Sequence, residues 1–419
     1  MWETPDVARL SVGGWAIGLV LVAIALATAL VAVVPAGQPY DEPAHHANVV
    51  FYAEERRMPV LGEPDVYYEG QMGPGYYLPA AVVLEATGTT HAPHEGLRTL
   101  RYLGLVLIPL AGWLTFRLAR QTGVDEVRSG LAAGLVALNP TMLAIGSSVQ
   151  NDYLNIVVAA VGAALALLAL APKASWWQSA AAGAVIGLAI LVKVFAGGLL
   201  VGLVVASLTD RSQPWRARLA RAGSATLAAS AVSGWWFARN LALYGDLTGA
   251  KGVERTGASF PPLQLEGVSS VLGWVRSLIS YGFAPTEYYR NAFDAPTAVK
   301  VIAVLVTLAV ATLVGVTLVR ADRSTWVRLC GDPRLVFAAT TVGVVALAYA
   351  TAAWSMQAIA PRLMFVAAPL GVVLLARLSR GRPGVLMLWS IVVSFVVIDL
   401  WLVIVLSGLE AVPGVFPWQ

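Results

Sequence analysis

Eleven apolar runs decide what this chain can fold into. They lie at about residues 12–35, 101–117, 129–149, 153–171, 177–193, 195–209, 219–243, 298–319, 334–354, 362–378 and 384–407. A helix needs roughly 17–25 such residues to cross a bilayer, and the sixth run is the shortest. The chain is 58% hydrophobic and 12% charged over 419 residues, with mean hydropathy +0.71. A soluble domain of this length could not hide that much apolar surface. The predicted fold class is therefore all-α: a polytopic membrane protein of about 11 transmembrane helices. No repeat, low-complexity stretch or polar linker divides residues 1–419, so one transmembrane domain is expected.

Charge placement tests this arrangement, because cytoplasmic loops collect Lys and Arg. With the N-terminus in the cytoplasm, the short inner segments hold 16 of the 28 basic residues. The other 12 lie outside, mostly over two long segments at about 36–100 and 244–297. These two exceed what a connector needs. The first apolar run is longer than a signal-peptide core and reads as a retained anchor. The expected location is the plasma (inner) membrane, with both long segments extracytoplasmic. The only cysteine, Cys330, allows no internal disulfide. The net charge of +4 calls for no nucleic-acid partner, and no glycine-rich phosphate loop marks a cytoplasmic nucleotide-using enzyme.

The first long segment carries the densest chemistry, with Asp41, Glu42, His45, His46, Glu54, Glu55, Glu63, Asp65, Glu69 and Glu85. Pro43 suits the first turn of a helix capped by Asp41 or Glu42 and running to about Arg57. On it, Asp41/His45 and Glu42/His46 are i,i+4 pairs sharing faces. A second short helix, about 76–87, begins with Tyr76 and Tyr77. Both are expected to be amphipathic and to lie in the membrane interface. Asp41 reads either as a cap or as a working carboxylate. Asn151 and Asp152, opening the fourth span on the same side, read first as an N-cap.

Three cations also end spans on that side: Lys193, Arg239 and Arg362. Singly each reads as a snorkelling flank residue. Together they are costly at that depth unless paired or functional, and a lipid phosphate is a natural partner. A transporter or lipid flippase is the main alternative, but transporters place polar groups at the midplane. Here Asp399 is the main charge inside a span. A non-catalytic membrane scaffold is a second alternative.

The ordered set DEPAHHANVVFYAEERRMP, YYEGQMGPGYYLPA, LNPTMLAIGSSVQNDYLN, LVKVFAG, WWFARNLALYGD and APRLMFVAAP resembles the GT-C superfamily of integral-membrane glycosyltransferases. The branch it is most similar to holds the protein O-mannosyltransferases and the aminoarabinose transferase of lipid A. The resemblance implies a catalytic carboxylate at Asp41 with Glu42 beside it. It aligns the family's acidic-aromatic segment with Tyr68, Glu69, Pro74 and Tyr77, its Asn-Asp pair with Asn151 and Asp152, and its late arginine with Arg362. The sequence departs where many relatives have two adjacent prolines and this chain has Gly73-Pro74-Gly75.

The family donor is a sugar on a polyprenyl phosphate. The acceptor is a glycan, lipid or protein hydroxyl, and the partners include membrane lipid. A departing phosphate needs cationic stabilisation, which Lys193, Arg239 and Arg362 could supply. The acceptor needs a base, assigned to Asp41. Single displacement inverts the anomeric centre, as in inverting glycosidases. Trp274, Tyr281, Glu287, Tyr288, Tyr289 and Arg290 of the second long segment suit acceptor or sugar contacts, Tyr288 above all, and suit an interfacial aromatic belt equally. No cofactor is certain. A divalent metal is possible, because His45, His46, His91 and His94 could each give a ligand, although their spacing matches no strong metal motif.

Overall fold

The computed structural model describes residues 14–39, 41–258, 267–285, 289, 295–320, 331–356, 361–379 and 381–409. Among them the chain is helical throughout and no strand occurs. In chain order the helices are α1 (Gly14–Val33), α2 (Glu42–Glu55), α3 (Pro74–Thr87), α4 (Pro93–Gln121), α5 (Glu126–Ala137), α6 (Pro140–Gly146), α7 (Asp152–Ala169) and α8 (Trp176–Val192). They continue with α9 (Gly197–Thr209), α10 (Trp215–Tyr244), α11 (Ala250–Val253), α12 (Val268–Phe283), α13 (Thr297–Arg320), α14 (Pro333–Met356), α15 (Ala368–Leu378) and α16 (Gly381–Leu406).

Each of the eleven apolar runs coincides with helix, but the count of eleven spans is not confirmed. Among the described residues seven helices are long and apolar enough to cross a membrane, or eight if one bent pair counts as a span. That pair is α5 and α6, bent by 56°, where Pro140 cannot continue a hydrogen-bonded helix. The fifth and sixth runs give α8 and α9, of 17 and 13 residues; the first is at the lower limit for a crossing and the second falls short of it. Breaks lower the count at α5, α6, α8 and α9, whereas the unbroken 30-residue α10 is too polar to be counted.

Packing relies on small residues, because lipid supplies no hydrophobic drive between helices. A Cβ on Gly183 of α8 would lie 2.1 Å from the Ala225 carbonyl oxygen of α10. Only glycine permits that approach. Large apolar side chains such as Val106, Leu227 and Ile404 point outward instead, where lipid covers them.

The first long segment holds the two expected helices, α2 and α3. Both pack into the protein. Helix α2 buries Glu42, His45, His46 and Asn48. Helix α3 buries Tyr76 and Tyr77 and leaves Leu78 and Val82 exposed. The second long segment contains a helix the sequence reading left as loop, α12, which packs on α6 and on the 361–367 turn. The two segments also join each other, through Phe51, Leu61, Val66, Tyr244 and Val253.

Candidate active site

Two polar residues placed to cap helices do not cap them. Asp41 is the N-cap of α2 and Asn151 that of α7, yet neither side chain bonds its own helix. Asp125 and Asn139, at the N-caps of α5 and α6, do so normally, accepting from Arg128 N and Met142 N, each at 2.9 Å.

Asp41 turns instead to the other end of the sequence. Its carboxylate is ion-paired with Arg362 Nη2 and accepts a hydrogen bond from Tyr68 Oη at 2.8 Å. Arg362 Nη1 donates to Gln150 Oε1 at 2.9 Å and lies 4.0 Å from Asp152 Oδ2. Asp152 Oδ1 accepts from Lys193 Nζ at 2.6 Å, and Lys193 also reaches Asn151 Oδ1 at 3.5 Å. The result is one alternating row: Asp41, Arg362, Asp152, Lys193. Asp41, Asp152 and Lys193 are all buried. Gln150 Nε2, on a residue bonded to Arg362, and Asp152 Oδ2, within the row, have no hydrogen-bond partner.

A break in the helix holds Lys193 there. Helix α8 ends at Val192, Lys193 is extended (φ −158°, ψ 127°), and a single 3₁₀ turn, Val194–Ala196, leads into α9. The Gly73-Pro74-Gly75 segment lies against this break. A Cβ on Gly73 would sit 2.2 Å from the Leu191 carbonyl oxygen, and one on Gly75 2.7 Å from Val192 N. The departure from the family's double proline is thus a close backbone contact that seats the start of α3 beside Lys193. Asn151 Nδ2 completes the seam by donating to Met72 Sδ at 3.0 Å.

Behind the row lies a neutral cluster. His45 Nδ1 is 2.8 Å from Tyr77 Oη, and His45 Nε2 is 3.6 Å from Glu69 Oε1. Burial, reinforced by nearby Lys193, pushes the His45 pKa down to about 3. Burial pushes Glu69 up to about 8, against the pull of Lys193 and with help from Asp152. At neutral pH the contact is therefore between a neutral imidazole and a largely protonated carboxyl, not an ion pair. Asn48 donates to the Glu69 carbonyl oxygen at 3.4 Å, which fixes the turn that carries Tyr68 and Glu69.

Glu42 has a different setting. Its Oε1 accepts from Arg101 Nε (2.8 Å) and Val149 N (3.0 Å), and its Oε2 from Arg101 Nη2 (2.6 Å) and Gly37 N (3.1 Å). Arg101 also donates to the carbonyl oxygens of Val34, Pro35 and Gln38. This clamp ties the end of α1, the start of α2, α4 and the loop before α7 together. Arg239 is also engaged elsewhere: it donates to the Pro59 carbonyl oxygen at 2.6 Å and lies over the Trp236 ring. Glu287, Tyr288 and Arg290 lie outside the described residues. Among the described residues no three His, Cys, Asp or Glu side chains gather as a metal cluster.

Comparison with known proteins matches this architecture. A sequence-family profile described as dolichyl-phosphate-mannose-protein mannosyltransferase matches residues 90–237. The structure is similar to ArnT from Cupriavidus metallidurans bound to undecaprenyl phosphate, with TM-score 0.56 and 18% identity, covering 88% of this chain and 61% of that one. It is also similar to the oligosaccharyltransferase AglB from Archaeoglobus fulgidus, in complex with an inhibitory peptide and a dolichol phosphate. There the TM-score is 0.51 and the identity 13%, covering 96% of this chain and 56% of that one. This chain has the GT-C glycosyltransferase fold. It spans about three-fifths of the length of these two structures, and a sequence comparison with curated proteins finds no match.

Within the GT-C fold of this chain, the row gathers Asp41, Asp152, Asn151, Lys193 and Arg362, with Glu69 and Tyr77 behind it. Sequence reasoning missed two neighbours. Gln150 precedes Asn151-Asp152 and carried no signal of its own. Arg101 begins a span on the same side as Lys193 and Arg362. The argument that singled those two out, a costly cation at depth, applied to it equally.

Proposed function

We propose that the chain is a membrane glycosyltransferase that moves a sugar from a polyprenyl-phosphate donor to an acceptor hydroxyl on the extracytoplasmic face, with inversion. The observation that carries this reading is the buried row in which two cations, Arg362 and Lys193, alternate with Asp41 and Asp152. The acceptor oxygen forms the new bond to the anomeric carbon as the bond to the phosphate oxygen breaks. The electron pair leaves on polyprenyl phosphate, an anion whose growing charge Arg362 and Lys193 stabilise. The acceptor proton goes to Asp41. Glu69, Tyr77, Asn151 and Tyr288 are the residues we assign to substrate contact. Arg239 is assigned to the donor by the sequence reading alone, its guanidinium being held by the Pro59 carbonyl oxygen, and Glu42 supports Asp41 through the Arg101 clamp. The short basic segments on the opposite side support the extracytoplasmic placement.

The test is sugar transfer by purified protein in nanodiscs from a panel of polyprenyl-phosphate sugars, with wild type beside Asp41→Asn. Transfer or donor hydrolysis by the wild type that is lost in the variant is the expected result. Failure to bind any donor would bring forward the alternative, a polytopic transporter or lipid flippase.

A further inference from the structure

The group assigned as base is held by the group assigned to the donor phosphate. Arg362 cannot offer Nη2 to a phosphate while Asp41 occupies it, and Asp41 cannot take a proton efficiently while a guanidinium neutralises it. The same conflict recurs at Lys193, whose ammonium is occupied by Asp152 at 2.6 Å. Counting the row, Asp41 and Asp152 balance Arg362 and Lys193, while the His45 and Glu69 side chains behind it add no net charge at neutral pH. Without donor this is a self-neutralised row, not an open anion hole. A phosphodiester entering it with both pairs intact would add one negative charge beside two buried carboxylates, which low-dielectric surroundings penalise.

We infer that donor binding is an exchange, in which the donor's phosphate takes the place of the Asp41 carboxylate on Arg362 and thereby releases Asp41 to act as base. This rests on the function proposed above and adds an order to it. The guanidinium fork suits a phosphate at least as well as a carboxylate. No proton moves in the exchange; one anionic oxygen replaces another. Tyr68 keeps its bond to Asp41 at 2.8 Å and so provides a pivot that retains the freed carboxylate in the site. Once released, Asp41 has lost a cation and gained a neighbouring anion, and both changes favour its protonated form, making it a stronger base. Donor must therefore bind before acceptor deprotonation, and the donor-free enzyme carries its base in a silenced state.

The consequence that separates this from a plain phosphate site is that removing Asp41's charge strengthens binding of the lipid phosphate. The experiment titrates undecaprenyl phosphate into nanodiscs holding the full chain, with undecaprenol as the uncharged control. Asp41→Asn is expected to bind undecaprenyl phosphate about tenfold tighter than wild type, a coupling of ordinary size between linked sites. Asp41→Glu, which keeps the competitor, should bind as wild type does, and Arg362→Gln should bind weakly. An Asp41→Asn affinity equal to or below wild type, with Arg362→Gln still weakened, overturns the exchange and leaves the phosphate site standing. Equal affinity for undecaprenol and undecaprenyl phosphate in wild type overturns both. Unfolding midpoints without lipid check the variants, and Asp41→Ala replaces Asp41→Asn if the latter does not fold.

Discussion

Asp41 and Glu42 are adjacent in sequence and each faces an arginine, yet the two pairs are built differently. Glu42 is fully buried, with both oxygens saturated by Arg101 and two backbone amides. Its partner is in turn consumed by three carbonyl oxygens. Such a pair has nothing left to give a ligand. The Asp41–Arg362 pair belongs to a row with unsatisfied polar atoms beside it at Gln150 and Asp152. Buried polar groups normally find partners, so these two atoms leave the row a capacity for a further partner that the Glu42–Arg101 pair lacks. Saturation, more than charge or burial, separates the charged pair that holds the fold from the one we propose for chemistry.

The sharpest way to break this comparison is to neutralise each carboxylate in turn. Asp41→Asn should lower transfer by roughly 10²–10⁴-fold, the usual effect of losing a general base, with a smaller fall in the unfolding midpoint than Glu42→Gln gives, because Arg362 keeps Gln150 and Asp152 beside it. Glu42→Gln should do the reverse first. It leaves Arg101 charged and buried without its carboxylate, which costs roughly 3–5 kcal/mol, seen as lower folded yield and an earlier unfolding midpoint. If Glu42→Gln folds normally and loses activity alone, the division of roles is wrong.

A smaller effect sharpens the view of the neutral cluster. Glu69 titrates at about 8 when folded against 4.5 otherwise, so the folded protein holds an extra proton between those values and its stability falls as pH rises through them. His45 titrates at about 3 when folded against 6.5, so the folded protein holds one proton fewer there and stability rises with pH. The two slopes cancel between pH 4.5 and 6.5, leaving a net fall from 6.5 to 8. Thermal melts across this range should show that fall in wild type and lose it in Glu69→Gln. The smallest effect concerns the caps. Asn139→Ala removes a real cap bond and should cost about 1 kcal/mol. Asn151→Ala removes none, so its effect should appear in donor binding rather than in helix stability.

Much of the fold was legible in the sequence because its signal is local. Apolar runs located the helices, Pro43 marked the first turn of α2, and α3 starts at Pro74, two residues before the expected Tyr76. The concentration of Asp, Glu and outer-end cations on one side pointed to residues that the fold brings together, Asp41, Asp152, Lys193 and Arg362. Helix α12 was missed although Val268, Val271, Leu272, Val275, Leu278 and Ile279 recur at helical spacing; only its packing on α6 and the 361–367 turn could not be read from the sequence. The number of crossing helices was not legible either, since the 56° bend at Pro140 and the short α8 and α9 depend on how the breaks are packed.

The sequence by itself determined that this chain is a helical membrane protein, which segments are apolar, and which side chains are candidates for chemistry. Only the tertiary structure decided which members of that set pair with each other. Asp41 pairs with a residue 321 positions away and Glu42 with one 59 positions away. Periodicity and capping preferences extend over a few residues, whereas an ion pair depends on where distant helices place their ends. For that reason the sequence could present Asp41 and Asn151 as helix caps, and only the packed helices could turn their side chains into the site.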